Sequence, residues 1–244
     1  MSKRLKFFIG HLAISFLIAL VTVGMVFFIW YPSPLAKAVG VMHIFLMLMI
    51  IDVIVGPVLG WLVYKEEKKT LRIDLTIIIL IQFFALSYGI YAIQQGRPVW
   101  LVFNVDQFEV VRNNEIYNKN IQQAEVRFQK VPMLSPQFAA VKFSENQKQK
   151  QQDMFDEVIN GISLGQRPER YVEITQVKTK IQQREQELRL LEQYNDQILV
   201  KKILKQYPQA TGFIPLKANA VDMTILINKK TGEVVKIVDL RPWK

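Results

Sequence analysis

The sequence predicts a membrane α-helical domain of three transmembrane helices followed by an α+β soluble domain with a small antiparallel sheet and a long amphipathic helix. Three observations lead there. Residues 1–93 consist mostly of three long apolar runs, residues 94–244 have the Gln-, Lys- and Glu-rich composition of an ordinary soluble domain, and the apolar residues of that second part are spaced rather than continuous. The chain therefore divides into a transmembrane domain over 1–93 and a periplasmic α+β domain over 94–244.

The first run, Phe7 to Tyr31, carries no charge and is long enough to cross a hydrocarbon core of about 30 Å at about 1.5 Å per residue. It follows Lys3, Arg4 and Lys6, and Ala36-Lys37-Ala38 offers a small-x-small cleavage pattern, which together imitate a secretory signal. A signal's apolar region is only about 7–15 residues, so a retained span is expected. The second run, Val39 to Tyr64, is interrupted by one carboxylate, Asp52, and contains Gly56-Pro57; the third runs from Ile73 to Ile93. Each is flanked by aromatics suited to an interface: Trp30 and Tyr31, Trp61 and Tyr64, Tyr88 and Tyr91.

Positive residues in short loops resist translocation and so set orientation. Lys3, Arg4 and Lys6 precede the first span, and Lys65, Lys68, Lys69 and Arg72 lie between the second and third, whereas only Lys37 lies between the first and second. The expectation is a bacterial inner-membrane protein with a cytoplasmic N-terminus and everything after Ile93 exported.

In the exported part, Val99 to Val105 reads as a buried strand, which Phe108 to Val111 could continue. Met223–Asn228 and Glu233–Val238 flank Lys229-Lys230-Thr231-Gly232, a hairpin whose glycine suits a left-handed position, and Gly212 to Leu216 could add a strand. Ile174, Val177, Ile181, Leu188, Leu191 and Ile198 recur at helical spacing, predicting an amphipathic helix from Tyr171 to Asn195, with Pro168 in its first turn. Gly161 and Gly165 separate it from a shorter helix near 151–159, and Asn146–Gln152 reads as a flexible loop or helix start. The stripe on the long helix is either a core face or a docking groove for another helix.

Chemistry is sparsely provided. No cysteine is present, so disulfides, thiolate metal sites and Cys nucleophiles are excluded. The net charge of +10 divides into eight basic against four acidic residues over 1–93 and twenty-three against seventeen over 94–244, interleaved, and no nucleic-acid motif accompanies it. The two histidines, His11 and His43, both fall inside spans, near opposite faces, too far apart to share a metal. No P-loop, dinucleotide fingerprint or nucleophile elbow occurs, so no catalytic residues, cofactor, metal or small-molecule substrate is expected.

Intramembrane polar groups are the stronger signal, because a charge near the bilayer centre costs about 2.5–3.5 kcal/mol on insertion scales unless neutralised or paired. Asp52 lies mid-span, and Gln82, Ser15 and Thr22 fall within reach of its depth, so the carboxyl is expected to be protonated or bonded to them. Structural glue and a partner site are the two readings, with His11, Asp52 and Gln82 as candidate partner-binding residues. Asp74, beside Arg72, reads as a local ion pair, and Gly56, Pro57, Arg97 and Pro98 as structural motif residues.

Taken in order, Phe7-Phe8, His11-Leu12, Ser15, Trp30-Tyr31-Pro32, Pro34, Asp52 with Gly56-Pro57, Leu71-x-x-Asp74-Leu75, Gln82, Ala85-Leu86, Tyr88-Gly89, Arg97-Pro98-Val99 and Pro242-Trp243 resemble the type IV pilin accessory proteins of the TfpX/TfpZ family. The resemblance covers essentially the whole chain and is strongest over 7–111; Gly60 stands where a Thr would be expected. It implies a chaperone-like accessory role in type IV pilus (fimbrium) biogenesis, with the major type IV pilin as partner, the assembly platform as a second candidate, and membrane lipid around the helices. Pilins of this kind carry an acidic residue a short way inside the cytoplasmic face, at about the depth of His11. A pilin-modifying enzyme and a membrane sensor or transporter component are the alternatives.

Overall fold

The computed structural model describes residues 1–142 and 146–243. It contains two compact units: Met1–Trp30 with Val41–Gly96, and Tyr31–Gly40 with Arg97–Lys244.

The first unit is three long helices. Helix α1 (Lys3–Met25) continues as a wider π-turn over Val26–Trp30; after the single turn α2 (Leu35–Ala38) of the second unit come α3 (Val41–Val63) and α4 (Leu71–Gly96). All three are long and apolar enough to cross a membrane. Their outer faces expose Phe16, Leu17, Ile44, Ile51, Ile81 and Phe84, an apolar surface suited to lipid and not to water. The Ser2 hydroxyl caps α1 by accepting from Leu5 N–H, and Arg4 donates to the Trp61 carbonyl at 2.6 Å near the end of α3, its guanidinium 4.2 Å from the Trp61 ring centre.

The second unit is built on a seven-stranded sheet. Its strands are β1 (Pro98–Asn104), β2 (Gln107–Arg112), β3 (Gln137–Val141), β4 (Tyr171–Val172), β5 (Gly212–Lys217), β6 (Met223–Asn228) and β7 (Glu233–Val238), in the order β4-β3-β1-β2-β5-β6-β7. The small antiparallel sheet expected from sequence is thus larger and mixed, because β1 pairs with β3 and β2 with β5 in parallel. Phe108 to Val111 turns back on β1 through Val105-Asp106 instead of prolonging it. The β6–β7 hairpin and β5 lie where expected, with Gly232 left-handed at φ +68°. One apolar core gathers Leu101, Phe108, Ile181, Ile214 and Ile225; a second holds Trp100, Phe128 and Tyr171 edge to face at 5.4–5.7 Å.

The single long helix over 171–195 is corrected. Tyr171–Val172 is strand, Ile174–Val177 a 3₁₀ turn, α6 spans only Lys178–Arg184, Leu188–Gln193 is again 3₁₀, and α7 (Gln197–Leu204) follows. The break comes where Gln186 exchanges both backbone hydrogen bonds with Phe213 of β5, at 2.8 and 2.9 Å, which holds Glu185–Glu187 extended. A long-range pairing has overridden local helical preference. The stripe still faces inward at Val177, Ile181 and Leu191, as the core reading required, whereas Ile198 is exposed.

Helix α5 (Gln147–Asn160) begins at the Asn146 cap and ends at left-handed Gly161. Its buried side is charged: Asp153 and Asp156 meet Arg167, and Asp153 also meets Arg170. The segment Tyr31–Gly40 is an integral part of this unit. Tyr31, Leu35, Ala36 and Ala38 are buried, and the Ala38 carbonyl accepts from Ala220 N–H at 2.9 Å and Val221 N–H at 3.1 Å. The two small residues that imitate a cleavage pattern are therefore packing residues.

Candidate functional site

Within the helical unit, Gln82 of α4 joins all three long helices. Its Nε2 donates to the Ser15 hydroxyl of α1 at 3.1 Å and to the Asp52 backbone carbonyl of α3 at 2.7 Å, and its Oε1 lies 2.9 Å from His11 Nε2 of α1. A carbonyl oxygen only accepts, so the amide orientation is fixed by Asp52 O. His11 Nε2 must then be the donor to Oε1, which leaves Nδ1 of the neutral ring with a bare lone pair.

This arrangement needs small residues on α3. A Cβ at Gly56 would overlap the Gln82 amide, and one at Gly60 would lie 2.8 Å from Phe7 Cε1 and 3.5 Å from His11 Nδ1. Gly56 and Gly60, one turn apart, let α1 and α4 reach the α3 backbone. Pro57 sits buried inside α3 and has no N–H for the carbonyl one turn back, a defect that neighbouring helices make tolerable.

The network opens on a groove of about 470 Å³ walled by apolar side chains including Phe7, Ile14, Met49 and Phe83, with Lys6, His11, Ser15, Asp52 and Gln82 as its polar elements. Two buried polar atoms there have no hydrogen-bond partner among the described residues: His11 Nδ1 and Asp52 Oδ2. An unsatisfied buried group costs about 1–3 kcal/mol, more if charged. The site can therefore take an apolar segment that brings one polar side chain with a proton to donate to Nδ1.

Sequence reasoning named His11, Asp52 and Gln82, and the structure brings them together with Ser15. It assigns Asp52 differently: its backbone carbonyl, not its carboxyl, bonds Gln82, and Thr22 lies outside the network, donating to the Ile18 carbonyl. That detail is invisible in sequence, although glycines four apart opposite a mid-span glutamine hint at the close approach. Asp74 pairs with Lys68 at 2.7 Å and accepts from the Thr70 hydroxyl at 3.1 Å; its partner is Lys68 and not Arg72. Arg97 and Pro98 lie in the other unit, where the buried Arg97 guanidinium donates to the carbonyls of Pro132 and Leu134, fastening that loop to the start of β1. Burial pulls the Arg97 pKa below the usual arginine value, with Tyr31 opposing. Among the described residues, no group of three His, Cys, Asp or Glu side chains is placed to hold a metal ion.

Residues 1–40, which include His11 and Ser15, match the model of the family described as Fimbrial assembly protein FimB. The fimbrial assembly protein of serogroup E1 from Dichelobacter nodosus is 32% identical over 173 residues, covering 70% of this chain and 67% of the relative. Its serogroup I counterpart is 31% identical over the same length and shares. The fimbrial assembly protein of serogroups C1 and C2 is 35% identical over 116 residues, 47% of this chain and 88% of the relative. No solved structure matches the chain.

Proposed function

The chain belongs to the fimbrial assembly protein family, and from that premise we propose that it is an inner-membrane accessory factor of type IV fimbriae, of the TfpX/TfpZ kind, that binds the major pilin. The pilin's membrane helix lies in the groove between α1, α3 and α4, and an acidic side chain on that helix meets His11 Nδ1, as a neutral carboxyl donating a hydrogen bond or as a carboxylate against imidazolium. Either form is strong in low dielectric. The C-terminal domain, exported by the charge asymmetry of the short loops, meets the pilin head and supplies selectivity between pilin types. The role is one of holding and delivering pilin, without a chemical step.

The observation that carries this reading is an apolar groove among membrane-crossing helices containing two buried polar atoms without partners. Co-purification of pilin from detergent-solubilised membranes tests it. With His11→Ala, recovery of pilin should fall at least fivefold, while the amount of the variant in the membrane stays constant. Undiminished recovery would remove the reading's basis, and capture of the assembly platform without pilin would redirect it.

A further inference from the structure

Ten residues between the first two long helices are built into the domain that the chain completes only after residue 97. Leu35 and Ala38 are 2% and 0% exposed and pack in the same core as Phe108, Leu216 and Ile225. Ala220 and Val221 have their N–H groups satisfied by the Ala38 carbonyl. Lys37 pairs with Asp239 at 2.6 Å. Gly40, left-handed at φ +77°, passes so close that a Cβ on it would lie 2.9 Å from Ala220 Cβ.

We infer that Tyr31–Gly40 is a folding strap: the C-terminal domain reaches its ordered state only when the α1–α3 hairpin has delivered this segment to the domain's side of the membrane. Three crossings put residues 31–40 and 97–244 on the same side, and a first span that failed to insert, or was cleaved at Ala36-Lys37-Ala38, would leave the core open where Leu35 and Ala38 belong. The apolar lining of β2, β5 and β6 would then face water, and the N–H groups of Ala220 and Val221 would lose the Ala38 carbonyl as their acceptor. Order in the domain thus reports that the first two spans are in place. This device is independent of what occupies the membrane groove.

Hydrogen exchange read by mass spectrometry on the full-length protein in detergent tests it. Leu35→Asp should raise exchange at least tenfold in peptides covering β2, β5 and β6 and leave peptides from α3 and α4 as in the wild type. Leu35→Ala, which removes the buried side chain without adding charge, should raise the same peptides about threefold or more, and Leu35→Met should leave them unchanged. Wild-type exchange across β5 and β6 in Leu35→Ala, or an increase confined to residues 31–40, would overturn the inference.

Discussion

Replacing Gly56 by alanine tests whether the Gln82 amide is held where its hydrogen bonds place it. The three atoms nearest to a new Cβ all belong to the end of the Gln82 side chain, with Nε2 at 2.8 Å, and such an end normally swings aside at little cost. Here it is tied to His11, Ser15 and the Asp52 carbonyl, so swinging aside gives up three interhelical hydrogen bonds. At about 0.6 kcal/mol each inside a membrane, the loss is about 2 kcal/mol. In a Gln82→Ala background there is no amide to displace, and Gly56→Ala should be neutral or slightly stabilising, since alanine is the better helix former. The four proteins form a double-mutant cycle, read by reversible unfolding in mixed micelles of rising SDS fraction. A coupling energy near 2 kcal/mol is expected. A coupling below about 0.5 kcal/mol would refute the claim that Gln82 fastens the three helices.

Two predictions concern the other unit. Arg167→Ala removes one guanidinium from the buried Asp153 carboxylate and the guanidinium of half-buried Asp156, so the denaturant midpoint should fall by an amount equivalent to about 3 kcal/mol, the lower end for a broken buried pair. A loss under about 1 kcal/mol would mean that α5 is held by something else. Glu115 titrates under opposing influences: burial pushes its carboxyl up, while Arg112, through its side chain and its N–H, and Asn219 pull it down further, for a net pKa below the usual glutamate value. A depressed folded-state pKa stabilises the fold above the unfolded value of about 4.3 and loses that contribution as pH falls through the folded value. Between pH 7 and pH 3 the wild type should therefore lose more stability than Glu115→Gln, as measured by denaturant midpoints at each pH; parallel curves would refute the assignment.

The helical unit was legible almost in full because hydropathy over some twenty residues is a property of the local chain: the expected runs fall within a few residues of α1, α3 and α4. The β6–β7 hairpin was legible for a related reason, since its turn glycine and flanking strands are neighbours in sequence. What escaped was set by distant partners. Gln137-Phe138-Ala139-Ala140-Val141 carries little strand signal on its own and becomes β3 by pairing with β1, and Gln186 leaves its helical register for Phe213. The stretch around Lys37 between the first two apolar runs reads only as a short loop, because nothing local distinguishes a loop in water from one in a core.

The candidate site shows both behaviours in one residue. Asp52 stands out in the sequence because a carboxyl at mid-span is costly. The atom of Asp52 that joins α3 to Gln82 is its backbone carbonyl. The backbone carbonyl at Asp52 can accept from Gln82 only because Gly56, one turn along, leaves room for the amide, a circumstance belonging to three helices at once. The carbonyl is the atom that accepts from Gln82, and the carboxyl Oδ2 remains buried beside the groove without a hydrogen-bond partner among the described residues. Under the proposed function, the occupant of the groove is what this carboxyl meets. Asp52→Asn should accordingly leave SDS unfolding of the isolated protein within about 0.5 kcal/mol of wild type while changing pilin recovery, and a large loss of intrinsic stability would return Asp52 to a structural role.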